Sequence, residues 1–186
     1  MAPDDGSADD GSADDGSVDD GSAAATSTSI YYPVHIVQQP PNSMVCWYCC
    51  LQMIVGYQRG VGQPGLLHDP SEVDWVKSLY DKNSGIGAPG QPSFQSIADA
   101  LGFKTVYQTM TADGFHDLLA TGPIMYAGGP NPSIKSGHCV VINGISDSNI
   151  AAIDPYGLSG SGPLDSFISA GNQQMADGSW PIMSCP

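Results

Sequence analysis

The sequence predicts an α+β fold, in which a helical N-terminal half packs against an antiparallel sheet formed by the C-terminal half. From Cys46 to about Gln58, apolar residues occupy nearly every face of the predicted helix, which is typical of a central, buried helix. After residue 122, short apolar runs separated by turn residues replace the helical pattern, and such runs indicate strands. Helices that precede strands, rather than alternating with them, favour the α+β class.

The helical half is expected to contain three shorter helices besides the central one, each starting at a hydroxyl N-cap residue. The prolines of "QQPPNSM" exclude a helix just before Cys46. The predicted segments are, in chain order, a short strand at 30–37, a helix over roughly 72–80 capped by Ser71, a helix capped by Ser93 and ended by Gly102, a strand over 103–109, and a helix from Thr111 to about Ala120.

Three strands are predicted in the C-terminal half, "PIMYAG" (123–128), "HCVVINGI" (138–145) and "NIAAID" (149–154). The short turn "SDS" joins the last two, so we expect them to be antiparallel neighbours. His138 begins one of these strands and Asp154 ends the next. In an antiparallel pair these two positions lie near the same end of the sheet.

The chain is expected to have two parts, a disordered tail and linker at residues 1–29 and one folded domain at residues 30–186. Residues 4–23 contain four copies of a five-residue unit, Asp-Asp-Gly-Ser followed by alanine or valine, and carry eight aspartates. The repeat offers almost no apolar surface to offset the entropy of ordering it. Outside the repeat, eleven acidic residues face five basic ones, so the formal net charge of −14 comes largely from the tail.

The composition also argues against several classes of partner. Nucleic acid is not expected, because no basic patch is present to neutralise phosphates. No run of 18 apolar residues is found, so we expect no membrane span. The N-terminus has neither the basic start nor the apolar core of a cleaved signal peptide. We therefore expect export without a cleaved leader, or a cytoplasmic location.

Cys46 is the candidate nucleophile because it opens the central helix. The positive end of the helix dipole favours a thiolate at this position. An imidazole completes such a site, and a third group orients the imidazole. Among the histidines, His138 follows a glycine at the start of a strand, and Asp154 is the carboxylate expected beside it.

A thiol that attacks a carbonyl also needs donors for the developing oxyanion. The backbone N–H of Cys46 is one candidate. Gln38 and Gln39 lie a few residues upstream, and Gln39 is preferred because the extended loop can fold it back over the start of the helix. The choice between these two amides stays open at the level of sequence.

Together these motifs resemble the papain-like cysteine proteases. The motifs are a glutamine, a short loop, "CW" opening a buried helix, "GH" before an apolar strand, and "DP" after the next strand. The chain is similar in particular to the compact bacterial branch, which includes secreted effector proteases and the peptidases that trim bacteriocin leaders. The separation of 92 residues between Cys46 and His138 fits that branch, and Asp154 stands where papain has asparagine.

The resemblance implies a papain-like catalytic domain that hydrolyses peptide bonds through a Cys46–His138–Asp154 triad, with Gln39 in the oxyanion hole and no cofactor or metal. It also implies a polypeptide substrate. The acidic tail and the lack of a leader suggest an effector or toxin role for an exported monomer, with an immunity, inhibitor or delivery protein as a further partner. Glutamine deamidation and hydrolysis of peptidoglycan amides remain open alternatives, since the same thiol–imidazole pair performs both.

The other cysteines leave a non-enzymatic alternative open. Cys46, Cys49 and Cys50 share one face of the helix, and with "HC" at 138–139 they could bind zinc. Disulfides are also conceivable, linking Cys49 or Cys50 to Cys139, or involving Cys185. The favoured interpretation is that the four cysteines other than Cys46 are small buried residues with inert thiols. They are Cys49, Cys50, Cys139 and Cys185.

Overall fold

The computed structural model describes residues 29–63, 67–127, 137–172 and 180–186. The predicted tail at residues 1–29 lies outside the described residues, except for Ser29. In the described part, all strand pairings are antiparallel, and the strands join in one seven-stranded sheet. The strands are β1 (Ile30–Tyr31), β2 (Lys104–Gln108), β3 (Ile124–Ala127), β4 (Cys139–Ile145), β5 (Asn149–Asp154), β6 (Leu158–Pro163) and β7 (Trp180–Ser184).

Their spatial order is β2-β7-β3-β4-β5-β6, and β1 pairs with β4 beyond the end of β3. The predicted β3–β4–β5 meander is present, and the chain continues it with β6. Gly144 allows β1 to approach β4 closely, because a Cβ atom at this position would lie 2.9 Å from the carbonyl oxygen of Ile30.

Within the described ranges, five α-helices accompany the sheet: α1 (Cys46–Gly60), α2 (Asp74–Asp81), α3 (Phe94–Leu101), α4 (Ala112–Leu119) and α5 (Leu164–Asn172). The central helix is buried as the sequence predicts, with Leu51, Ile54 and Val55 fully enclosed. Ser93 and Thr111 cap α3 and α4 through their side chains, and Gly102 ends α3 in the left-handed region. None of the helices in the described ranges is both long and apolar enough to cross a membrane.

The sheet has an apolar core on each face, since successive side chains of a strand point to opposite sides. Cys139 and Val141 of β4 pack in one core with α1. Val140 and Ile142 of the same strand pack in the other, which also contains side chains of α4 and α5. The predicted α+β class is thereby confirmed, with helices covering both faces of the sheet. The site lies where α1 meets the first residues of β4.

Two local predictions need correction. The strand expected at 30–37 ends at Tyr31, because Pro33 has no N–H to donate to the sheet. The helix expected over 72–80 is not capped by Ser71. Asp69 instead caps a short 3₁₀ turn at Pro70–Glu72 through a capping box, and α2 begins after it.

Candidate active site

Asp154 ends β5 and is oriented by the turn that follows. Its Oδ1 accepts a hydrogen bond from the backbone N–H of Tyr156 at 2.8 Å, and its carbonyl oxygen accepts one from Gly157 at 2.9 Å. Pro155 favours this turn through its fixed φ, and Gly157 adopts a φ of +91°. The turn therefore holds Oδ1 in place and leaves Oδ2 available for a second partner.

His138 directly precedes β4 and lies beside that second oxygen. Its Nε2 is 2.9 Å from Oδ2 of Asp154, so the two side chains form an ion pair when the imidazole is protonated. Burial alone lowers the pKa of His138, but Asp154 and the Cys46 thiol outweigh burial and raise this pKa to about 9. Burial raises the pKa of Asp154, but His138 and the hydrogen bond from the Tyr156 backbone N–H together more than offset this, leaving the pKa below its usual value.

Cys46 is the first residue of α1, and its thiol lies within hydrogen-bonding reach of both Cys139 and His138. The hydrogen bond with the Cys139 thiol is the largest cause that lowers the pKa of Cys46 to about 5. Burial opposes this lowering of the pKa. Three further effects support it, namely hydrogen bonding to His138, hydrogen bonding to the Cys139 backbone and the charge of His138. The N-cap residue Val45 provides no side-chain acceptor for the first N–H groups of the helix. The structure thus brings Cys46, His138 and Asp154 together.

Gln39 lies between the start of α1 and the turn after β5. Its backbone N–H donates to the Pro155 carbonyl at 2.9 Å, and its Nε2 makes one long contact, 3.4 Å, with the Ser43 carbonyl. The side chain is buried, and its Oε1 has no hydrogen-bond partner among the described residues. Gln38 is exposed, and its Nε2 contacts the Tyr156 carbonyl oxygen instead. Of the two amides, only that of Gln39 is enclosed beside the helix start.

Tyr156 is a site residue that sequence reasoning missed. Its ring stacks on the His138 imidazole, with centroids 5.2 Å apart and planes 17° from parallel. The ring is about half exposed, so it covers one face of the imidazole on the solvent side. A tyrosine two residues after Asp154 carries no sequence signal by itself, because its placement depends on the turn.

The remaining cysteines are buried, and all five cysteines are free of disulfides. Burial raises the pKa of Cys49 to about 11 and that of Cys50 well above its ordinary value. Both therefore remain protonated thiols at neutral pH, in contrast to Cys46. Within the described ranges, no group of three or more histidine, cysteine, aspartate or glutamate side chains is arranged to hold a metal ion.

A cavity of about 670 Å³ opens beside the pair of His138 and Asp154. It runs along β5 and β6 to α5, where Phe167 lines it together with Val140 and Ile150. Asp154 is the only acidic side chain among the described lining residues, and no lysine or arginine is among them. The cavity is therefore predominantly apolar and reaches the imidazole from the side of Asp154.

Comparison with known proteins places these features in a family. A Bacillus anthracis protein described as a C39-like peptidase has a similar solved structure, with a TM-score of 0.55 and 17% identity over 86% of this chain and 98% of that one. No curated protein matches the chain. The family model described as "Papain-like cysteine protease AvrRpt2" matches residues 26–171, which include the whole candidate site. The chain therefore belongs to this family of papain-like cysteine proteases.

Proposed function

We propose that Cys46, His138 and Asp154 are the catalytic triad of this cysteine peptidase. The observation that carries the proposal is the position of the His138 imidazole, which lies 2.9 Å from the Asp154 carboxylate and is close enough to the Cys46 thiol for the two groups to shift each other's pKa. A pKa of about 5 for Cys46 and about 9 for His138 favours a thiolate–imidazolium pair at neutral pH.

In the proposed reaction, the Cys46 thiolate attacks the carbonyl carbon of the scissile bond. His138 then gives its proton to the leaving amine, and an acyl-enzyme remains on the sulfur. His138, now neutral, removes a proton from water, which attacks the thioester and releases the acid. Asp154 keeps the imidazole oriented and favours its protonated form throughout the cycle.

The developing oxyanion is stabilised by the Cys46 backbone N–H and the Gln39 side-chain amide. Support for the first donor comes from the N-cap Val45, which offers no competing side-chain acceptor. Support for the second comes from the burial of Gln39 and the single long contact of its Nε2. An amide with weak protein partners costs little to redirect toward a substrate oxygen.

The cavity beside the triad supports a preference on the leaving-group side of the scissile bond. His138 lines the cavity and Cys46 does not. Because the acyl part of a substrate bonds to Cys46 while the leaving amine receives its proton at His138, the residues that follow the scissile bond lie on the His138 side. An apolar side chain there would fill the cavity, so the proposed substrate is a polypeptide with an apolar residue shortly after the cleaved bond.

The triad is tested with a thiol-directed epoxide inhibitor whose attachment site is mapped by mass spectrometry. We expect a single label on Cys46 in the wild-type protein and its loss in His138→Ala. Label spread over all five cysteines, or stoichiometric zinc by metal analysis, would contradict the proposal. Cleavage of peptides, compared with ammonia release from glutamine side chains and with digestion of peptidoglycan, separates the peptidase from the deamidase and amidase alternatives.

The effector role rests on the acidic repeat and on the resemblance of the motifs to secreted effector proteases. In this proposal the protein is exported, and the acidic repeat serves delivery or tethering. A neighbouring gene for a secretion system or an immunity protein would support the proposal. Expression as a cytoplasmic enzyme beside metabolic genes would contradict it.

A further inference from the structure

Cys139 is an unusual neighbour for a reactive thiol. It directly follows His138 in the chain, and its side chain points to the α1 face of the sheet, where it shares a core with Cys46. Cys46 is the first residue of α1 and Cys139 the first residue of β4, both side chains are buried in the same core, and each shifts the pKa of the other. A second thiol therefore lies in the same core as the sulfur that the proposed mechanism uses as nucleophile.

The two cysteines that follow Cys46 in α1 are less suitable partners for a bond to it. Side chains three or four residues apart on a helix have Cβ atoms about 5–6 Å apart. A disulfide needs a Cβ–Cβ distance of about 3.5–4.5 Å. Cys49 and Cys50 are influenced by Cys46 only through its charge, without a hydrogen bond between the thiols. The C-x-x-C spacing of Cys46 and Cys49 still makes Cys49 the natural control, since such pairs at helix starts form disulfides in redox proteins.

Access to the pair is unequal in a way that suits stepwise oxidation. Cys46 keeps 7% of its surface exposed, whereas Cys139 keeps 2% and Cys50 none. A small oxidant reaches Cys46 first, and Cys46 is also the more reactive sulfur because it opens a helix. Cys139, which faces α1 from the start of β4 in the same core, is then positioned to react with the oxidised product.

We infer that Cys46 and Cys139 form an oxidative modification site, in which a hydroperoxide oxidises Cys46 and Cys139 resolves the product as a reversible disulfide. In the first step the Cys46 thiolate attacks a peroxide oxygen, the O–O bond breaks, and Cys46 sulfenic acid and hydroxide form. In the second step the Cys139 sulfur attacks the Cys46 sulfur. The S–S bond forms as the S–O bond breaks, and the hydroxyl leaves with the Cys139 proton as water.

The disulfide would block the proposed nucleophile and also protect it from irreversible oxidation to the sulfinic acid. A dithiol reductant reduces the Cys46–Cys139 disulfide and restores both thiols. The effect on peptide hydrolysis rests on the proposed function, but formation of the disulfide does not. The bond can form whether or not the protein cleaves peptides.

The test uses the full chain, first reduced, then freed of reductant and treated with hydrogen peroxide. Digestion without reduction, followed by mass spectrometry, identifies linked peptides. We expect a Cys46–Cys139 link that dithiothreitol removes, and the same link in Cys49→Ser. In Cys139→Ser, or Cys139→Ala if the serine variant does not fold, we expect sulfinic acid on Cys46 and a permanent loss of epoxide labelling. Each variant is compared with its own reduced form, so a changed basal reactivity does not affect the result.

A Cys46–Cys49 link in the wild-type protein would overturn the inference, as would sulfinic acid on Cys46 with Cys139 still a free thiol. Both readouts are independent of the peptidase assay. If the reduced protein cleaves peptides but forms no Cys46–Cys139 bond, only this inference fails. If the bond forms but no epoxide label depends on His138, the proposed triad fails instead.

Discussion

The Nε2 atom of His138 lies 2.9 Å from Oδ2 of Asp154, and the turn after β5 directs the carboxylate that makes this contact. Oδ1 is held by the Tyr156 backbone N–H, so the two oxygens of Asp154 have different partners. This asymmetry decides how substitutions at position 154 should behave.

Asp154→Asn should lower kcat/KM at least as much as Asp154→Ala does. An asparagine would keep its oxygen on the Tyr156 N–H and so turn its NH₂ group toward Nε2 of His138. That arrangement opposes a proton on Nε2, whereas alanine leaves the tautomer free. We expect losses of roughly 10²- to 10⁴-fold, the range that positioned proton transfer contributes. Steady-state hydrolysis of one peptide by both variants shows which substitution lowers kcat/KM more. An asparagine variant close to wild type would contradict the role of Asp154 in orienting His138.

The pH dependence of kcat/KM should be bell-shaped and broad. The thiolate of Cys46 is present above its pKa of about 5, and the protonated form of His138 is present below its pKa of about 9. Activity therefore rises with pH through the first value and falls through the second, with the two values belonging to the coupled pair. A profile that rises only above pH 8, as for an ordinary thiol, would exclude the ion pair.

In Asp154→Ala the alkaline limb should move to lower pH. The carboxylate raises the pKa of His138, so its removal lets the imidazolium lose its proton earlier. The pH dependence of kcat/KM for hydrolysis of one peptide, compared between wild type and Asp154→Ala, measures the position of this limb, because protonation of the leaving amine requires the imidazolium. An alkaline limb unchanged from wild type would mean that Asp154 does not act on His138.

Tyr156→Ala should also shift the alkaline limb to lower pH, but less. The ring stacks on His138, and a cation over an aromatic face gains about 0.5–1 kcal/mol at exposed sites, which corresponds to less than about one pH unit. Tyr156→Phe keeps the ring and is the matched control, so its limb should remain at the wild-type position. Equal shifts in both variants would point to the hydroxyl rather than to stacking.

The positions of Cys46, His138 and Asp154 could be anticipated because each stands at the boundary of an element whose type is readable locally. Cys46 opens an apolar helix, and the other two residues stand at the start and end of strands joined by a short turn. These local patterns predict that His138 and Asp154 lie at the same end of the sheet and that Cys46 opens the central helix. They do not predict the distances between the three side chains.

Other features depend on contacts between distant parts of the chain. The strand β7 inserts between β2 and β3, yet Pro181 within it weakens any local strand signal. Cys139 and Cys46 share one core because α1 packs against β4. No spacing of cysteines in the sequence predicts it.

Gln39→Ala should reduce kcat by about 10²- to 10³-fold, the usual cost of removing one oxyanion donor. The amide acts only when the carbonyl oxygen gains charge, so KM should change little. Gln38→Ala is the matched control, because this exposed neighbour contacts the Tyr156 carbonyl instead, and its kcat should stay near wild type. Alkylation of Cys46 by a haloacetamide develops no oxyanion, so both variants should react at the wild-type rate. A loss of alkylation in Gln39→Ala would mean that the substitution disturbs the thiolate, and a loss of kcat in Gln38→Ala alone would transfer the oxyanion role to Gln38.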